Sequence, residues 1–153
     1  MRRLILAALV LTACAGKDET PADTTVAVEA TPALTATQAM YVGTWEGRAF
    51  GPSTGDTGQA WTQTITPGPD SSIAVMMRLA GGTEDISVRI TEASTSSIKS
   101  EFGPYRSPAA NNAEFNSATE GRIDGDSIFG TFVSTPVAGG NQMTGRFVGR
   151  RAN

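Results

Sequence analysis

Ile123-Asp124-Gly125-Asp126-Ser127-Ile128 decides the fold. An Asp-Gly pair between apolar residues favours a type I′ turn, whose twist matches that of a two-residue β-hairpin. On its N-terminal side, Ala113 to Ile123 alternates, with Phe115 and Ile123 on the face opposite Glu114, Glu120 and Arg122. On its C-terminal side, Ile128, Gly130 and Phe132 carry the apolar face onward. An apolar period of two marks a strand with one buried face.

The same period runs through the chain from Tyr41 onward. Tyr41 to Phe50 sets Trp45 against Glu46 and Arg48, and Gln59 to Thr66 sets Trp61 and Ile65 against threonines. Ile73, Val75, Met77 and Leu79 alternate with Ala74, Met76 and Arg78, and Ile86, Val88 and Ile90 with Ser87, Arg89 and Thr91. Ile98, Ser100 and Phe102 alternate with Lys99 and Glu101, and Met143, Gly145 and Phe147 with Thr144, Arg146 and Val148. Glycine, proline and serine clusters at 51–58, 67–70, 81–82, 94–97, 108–112 and 136–141 supply the turns. Gly103-Pro104 is expected to end its strand, because proline cannot donate to a central ladder.

Short connections between eight such strands favour antiparallel neighbours. The expected fold is therefore all-β, an eight-stranded antiparallel up-and-down barrel. A two-sheet sandwich fits the same pattern. Closure removes both sheet edges. Glycine inside the strands, at Gly43, Gly47, Gly121, Gly130, Gly145 and Gly149, supplies the bends a barrel needs. The opposite face carries Glu46, Arg48, Arg78, Arg89, Lys99, Glu101, Glu114, Glu120 and Arg122, charges that are costly against lipid. The strands also read as shorter than the ~9–11 residues that membrane spanning needs. A soluble barrel is expected.

Ahead of the barrel, Met1-Arg2-Arg3 and the apolar run Leu4 to Leu11 form a basic start and a short hydrophobic segment. These are the features of a secretory signal peptide, too short for a span of about 20 residues. Leu11-Thr12-Ala13-Cys14 resembles the lipobox of bacterial lipoproteins. The resemblance implies cleavage between Ala13 and Cys14, diacylglycerol on the Cys14 sulfur and a further acyl chain on the new N-terminus. Ala15, rather than aspartate, follows the cysteine, which by lipoprotein sorting implies an outer-membrane location where two membranes exist, at the periplasmic face or the cell surface. Two or more acyl chains anchor stably where one does not. Residues 14–40, rich in threonine, alanine and proline, read as a flexible tether with an r.m.s. reach of roughly 25–30 Å, and Leu34 to Met40 as a short helical lead-in. The expected organisation is signal peptide 1–13, lipidated Cys14 and tether 14–40, and barrel domain 41–153.

The 153 residues hold one cysteine and no histidine, with 12 basic and 15 acidic side chains. Cys14 has no partner for an internal disulfide, so the fold rests on its core. Without histidine the chain lacks the commonest general base, the usual partner of a serine or cysteine nucleophile, and the commonest zinc ligand. Net charge −3, more negative once Arg2 and Arg3 leave, gives no electrostatic footprint for nucleic acid.

Gly43-Thr44-Trp45 resembles the glycine-x-tryptophan signature on the first strand of lipocalins and related calycins, and a Gly-Thr-Trp of avidin-like barrels. In lipocalins that tryptophan closes one barrel end beneath a basic residue of the last strand, a part that Arg146 or Arg150 fills by position. Gly103-Pro104-Tyr105 after a central strand is similar to small uncharacterised bacterial lipoproteins, which offer no active residues to carry over. The lipocalin disulfide is absent.

Other chemistry is thin. Asp124 and Asp126 lack the remaining ligands of a calcium loop. Glu114 and Glu120 share a strand face about 20 Å apart, too far for a glycosidase pair. Lys99 beside Ser97 and Ser100 has no nucleophile motif, and Tyr105 and Arg106 read as a loop on the rim. No catalytic residue, cofactor or metal is expected, and the chain does not read as an enzyme. The inward face holds two indoles, with Gln63, Ser100, Ser117, Thr119 and Ser134 as its few polar groups. Trp45, Trp61, Met77, Phe102, Phe132 and Met143 are the expected lining of a site for a small apolar or amphiphilic ligand. The alternative is a filled barrel that serves as a structural or protein-interaction module, its partner an envelope protein. An eight-stranded barrel is just wide enough for either.

Overall fold

The computed structural model describes residues 35–153 apart from 54 and 69–71. The signal segment 1–13, the cleavage position Ala13, the attachment position Cys14 and the tether as far as 34 lie outside the described residues.

The described chain opens with helix α1, Ala36–Tyr41, where a helical lead-in was expected. Thr35 caps it: the Thr35 hydroxyl accepts the Gln38 N–H at 3.2 Å, and Gln38 Oε1 accepts the Thr35 N–H at 2.9 Å. Six residues cannot hold a helix in isolation. The buried side chain of Tyr41 fastens this one to the barrel.

Eight strands follow: β1 Gly43–Phe50, β2 Gln59–Pro67, β3 Ile73–Leu79, β4 Ile86–Ala93, β5 Ser97–Ser107, β6 Ala113–Asp124, β7 Ser127–Pro136 and β8 Met143–Arg151. Each pairs antiparallel with its sequence neighbours, and β1 pairs with β8 from Trp45↔Arg151 to Phe50↔Arg146. The sheet is thus a closed barrel and not a sandwich. Its narrowest seam joins β3 to β4 through three residue pairs, against ten between β6 and β7. Burial keeps the period of two: Val75, Met77 and Leu79 are buried while Ala74, Met76 and Arg78 are exposed. Tyr41, Trp45 and Ile65 are the largest fully enclosed side chains.

Three local expectations are corrected. β5 does not stop at Gly103-Pro104 but runs through it to Ser107. Pairing with β6 skips from Phe102 to Tyr105, a bulge that takes the proline out of the ladder so that no donor is missed. The bulge also inverts the strand's parity, so Tyr105 follows Phe102 into the interior. At the β6–β7 hairpin, Asp124 pairs with Ser127, so the loop residues are Gly125 and Asp126. Gly125 has φ +57° and Asp126 is not at positive φ, which fits a type II′ turn with glycine first and excludes type I′. Finally, β5, β6 and β7 span 11, 12 and 10 residues, so strand length does not separate this barrel from a spanning one. The outer face carries ion pairs: Arg78–Asp85 (2.6 Å), Lys99–Glu92 (2.8 Å), Arg106–Glu114 (3.4 Å) and the Arg89–Glu101 pair all lie on the outside and are exposed. Lipid would make such pairs expensive, and in water exposed pairs contribute little.

Two cross-strand glycine pairs set the shape of the interior. Gly47 faces Gly149 across β1–β8, and Gly121 faces Gly130 across β6–β7. The Trp61 ring lies on the first pair and the Phe147 ring on the second, and the two rings meet edge to face at 6.3 Å. A Cβ on Gly130 would fall 2.1 Å from the Glu120 carbonyl oxygen and 2.6 Å from the Gly121 Cα, so backbone itself must move to admit it. Gly130→Ala is therefore expected to cost about 1–3 kcal/mol and to lower the thermal midpoint by at least about 4 °C. Thr131→Ala, its exposed neighbour, should stay within about 0.5 kcal/mol of the parent. Thermal denaturation followed by circular dichroism checks both.

Candidate functional site

The two ends of the barrel differ. At the end where β1 starts and β8 finishes, Trp45 is wholly buried and its Nε1 donates to the Tyr41 carbonyl at 2.9 Å. The Arg151 guanidinium lies over the indole, 4.3 Å from the ring centroid. It donates to the carbonyls of Met40, at 2.7 Å, and of Val42. Its Nε reaches Asp126 at 3.3 Å. The Tyr41 hydroxyl gives its proton to the Ser94 carbonyl at 2.6 Å, with the Ser97 carbonyl at 2.9 Å. Burial pushes that phenol's pKa up, so it stays a donor. Helix, first strand, last strand and two turns are thus joined across this end, and a cation–π contact reinforces the seal. The basic residue over the tryptophan is Arg151, not Arg146 or Arg150. Even-numbered residues of β8 point outward: Arg146 lies over Phe50 at 4.8 Å, and Arg150 pairs with Glu46 across the ladder.

Above this seal the interior is not solid. It encloses a cavity of about 260 Å³ that opens between the β1–β2 and β5–β6 connections. Ile98 and Ile128 lie deepest, next to the sealed end, and Pro52, Asp56, Ala109 and Met143 form the rim. The β2–β4 wall is apolar apart from Gln63 and Gln59, whose amide donates to the Ala60 and Ala80 carbonyls, with Trp61, Met77, Leu79 and Val88. The β5–β7 wall carries hydroxyls in two clusters. Ser100 Oγ and Thr119 Oγ1 are 2.6 Å apart. Ser117 Oγ bonds both the Tyr105 hydroxyl, at 3.0 Å, and Ser134 Oγ, at 2.6 Å. Phe102, Tyr105 and Phe115 stack in series alongside, with centroids 5.3 and 6.3 Å apart.

Of the residues expected to line a site, Trp61, Met77, Phe102, Phe132 and Met143 meet on this cavity. Met143 does so at the rim, 40% exposed. Trp45 is not on the wall: it lies sealed beneath the floor, where its N–H and one ring face are already used. Tyr105 is the lining residue that sequence reasoning placed on the rim, because the bulge at Gly103-Pro104 hides the parity that takes it inside. Its neighbour Arg106 points outward to Glu114. Lys99 pairs with Glu92, Glu114 and Glu120 are exposed on the outer face, and Asp126 serves Arg151. Among the described residues, no group of three acidic or cysteine side chains gathers to hold a metal.

No family model, curated protein or solved structure matches the chain.

Among the described residues, Asp56 is the one charged residue on the cavity's lining. Its carboxylate accepts the backbone N–H of Gly58 at 2.8 Å and that of Gly51, closing the β1–β2 loop at the mouth. These two bonds hold its pKa below the usual aspartate value. A depressed folded-state pKa means that the loop's stabilisation is present above the unfolded value and is lost as pH falls through the folded one. The Gly58 and Gly51 amide resonances should therefore shift together on acidification, with a midpoint below that of an ordinary aspartate, and hold constant from pH 5 to 8. An NMR pH titration reads this directly, and Asp56→Asn should abolish the shift.

Proposed function

We propose that this chain is a lipid-anchored protein of the cell envelope, and that its calycin-like barrel holds a small apolar or amphiphilic molecule. The observation that carries the ligand reading is the cavity: one end sealed, the other open, an apolar wall facing a hydroxyl-bearing one. Its size exceeds that of an apolar cavity of ~150 Å³ able to bind benzene, and falls just under the ~300 Å³ where drug-sized pockets begin. Burial would supply the affinity, and one or two hydrogen bonds the orientation. Arg151 over Trp45 supports the likeness to calycins. Leu11 to Cys14 carries the anchor, and the charged outer face suits a barrel that stands in water at the end of a tether.

A separate observation favours the interaction reading. Phe129 and Val148 are cross-strand neighbours on the outside of β7–β8, 43% and 42% exposed. Cross-linking in native membranes through this face would recover a specific protein neighbour if that role were the true one.

Two measurements test the proposal. The wild-type chain should fractionate with membranes and show an acylated Cys14 by mass spectrometry, while Cys14→Ser should be released; a Cys14→Ser chain that stays membrane-bound would sink the anchor. Titration of folded protein with toluene should change tryptophan fluorescence saturably through Trp61, and Trp61→Phe should remove the response because Trp45 is out of reach. Absence of any saturable change would count against the ligand.

A further inference from the structure

The polar groups of the cavity narrow what it can hold, on the footing that it holds a ligand at all. Tyr105, Ser117 and Ser134 carry three hydroxyl protons and spend two of them on one another. Ser100 and Thr119 carry two and spend one. Among the described residues, no carbonyl or carboxylate accepts the proton left over in either cluster. Both clusters face the cavity, and Ser117 and Thr119, two residues apart on one face of β6, set them roughly 7 Å apart along the wall. Across from them Gln63 faces Met77 in the ladder, and its amide makes no hydrogen bond within the described residues. The site therefore offers hydrogen-bond donors that lack acceptors.

It offers no cation. Among the described residues, no lysine or arginine lines the cavity. Arg48, which reaches the mouth loop, is committed to the Thr57 and Gly58 carbonyls, Arg106 to Glu114 and Arg151 to the Trp45 seal. The single charge on the lining among the described residues is the Asp56 carboxylate at the mouth, through which any ligand must pass. An anionic head group entering here would be repelled at the rim and left unpaired in an apolar interior, a cost that a neutral hydroxyl donor does not repay.

We infer that the ligand is an uncharged small amphiphile whose oxygen acceptor (alcohol, ester or lactone) is bound by the hydroxyl wall of β5–β7, and that carboxylates of the same size are excluded. The decisive comparison is 1-octanol against octanoate, with toluene as a probe that has no polar head. Calorimetric titration uses the full-length Cys14→Ser chain, which takes no acyl chain. At neutral pH octanol should bind at least tenfold more tightly than octanoate. Replacing one hydroxyl cluster whole, with Tyr105→Phe, Ser117→Ala and Ser134→Ala combined, should weaken octanol about 2–10-fold, the worth of one hydrogen bond, and leave toluene unchanged. Ser100→Ala with Thr119→Val asks the same of the other cluster and serves if the triple variant does not fold. Octanoate binding as tightly as octanol, or octanol indifferent to both hydroxyl replacements while toluene still binds, overturns this inference and leaves the ligand cavity standing. Failure of all three probes to bind the folded chain removes the cavity's function and this inference together.

Discussion

Closure of the sheet between β1 and β8 is the constraint on which the rest depends. Two strands more than ninety residues apart in sequence must pair, and their ladder brings Gly47 opposite Gly149. With no side chain on either, the Trp61 ring can lie against bare backbone, and the Phe147 ring does the same over Gly121 and Gly130. Large inward rings thereby approach the wall more closely than any side chain there would allow. An eight-stranded barrel has barely enough width for side chains alone. Space gained by laying rings on glycine is what leaves an interior void in so narrow a cylinder.

The barrel's two ends divide the work. One is tied by Arg151, whose guanidinium covers Trp45 and reaches two carbonyls of the chain entering β1, with Tyr41 fastening the same entry to the β4–β5 turn. A single arginine near the chain's C-terminal end thus fixes the start of the domain, and the helix that precedes it, to its finish. The other end carries the connecting loops and the short 3-10 turn Pro108–Ala110, with contacts such as Asp56 on the Gly51 and Gly58 amides. The seal is at one end and access at the other. The cavity lies between, with its apolar floor near the seal and its hydroxyls along the wall.

Much of this is legible in the sequence because a period of two carries it. Alternation in the strands names the inward face, and the inward polar set Gln63, Ser100, Ser117, Thr119 and Ser134 all reach the cavity. The same alternation, followed to the end of β8, points to Arg151 over Trp45: it shares parity with Phe147, which Arg146 and Arg150 do not. Where alternation breaks, the reading breaks with it. The bulge at Gly103-Pro104 adds a residue and turns Tyr105 inward, a shift that no local propensity announces because it depends on what β6 pairs with. At the β6–β7 hairpin, Asp-Gly marks a tight turn, but register places Gly125 first in the loop and so selects the other turn type. Depth along the barrel axis is not encoded in parity at all. Trp45 and Trp61 share an inward face, yet one lies beneath the floor and the other on the wall.

The central claim is that the space inside the closed barrel, rather than its surface, receives a small molecule. Intermolecular nuclear Overhauser effects from a bound apolar probe to assigned methyl groups test it most directly, because inner and outer methyls alternate along the same strands. The account predicts contacts from the probe to Met77, Val88 and Ile98 and none to Met76 or Val148, which face outward. Contacts confined to Met76, Val148 and other outward methyls would contradict it.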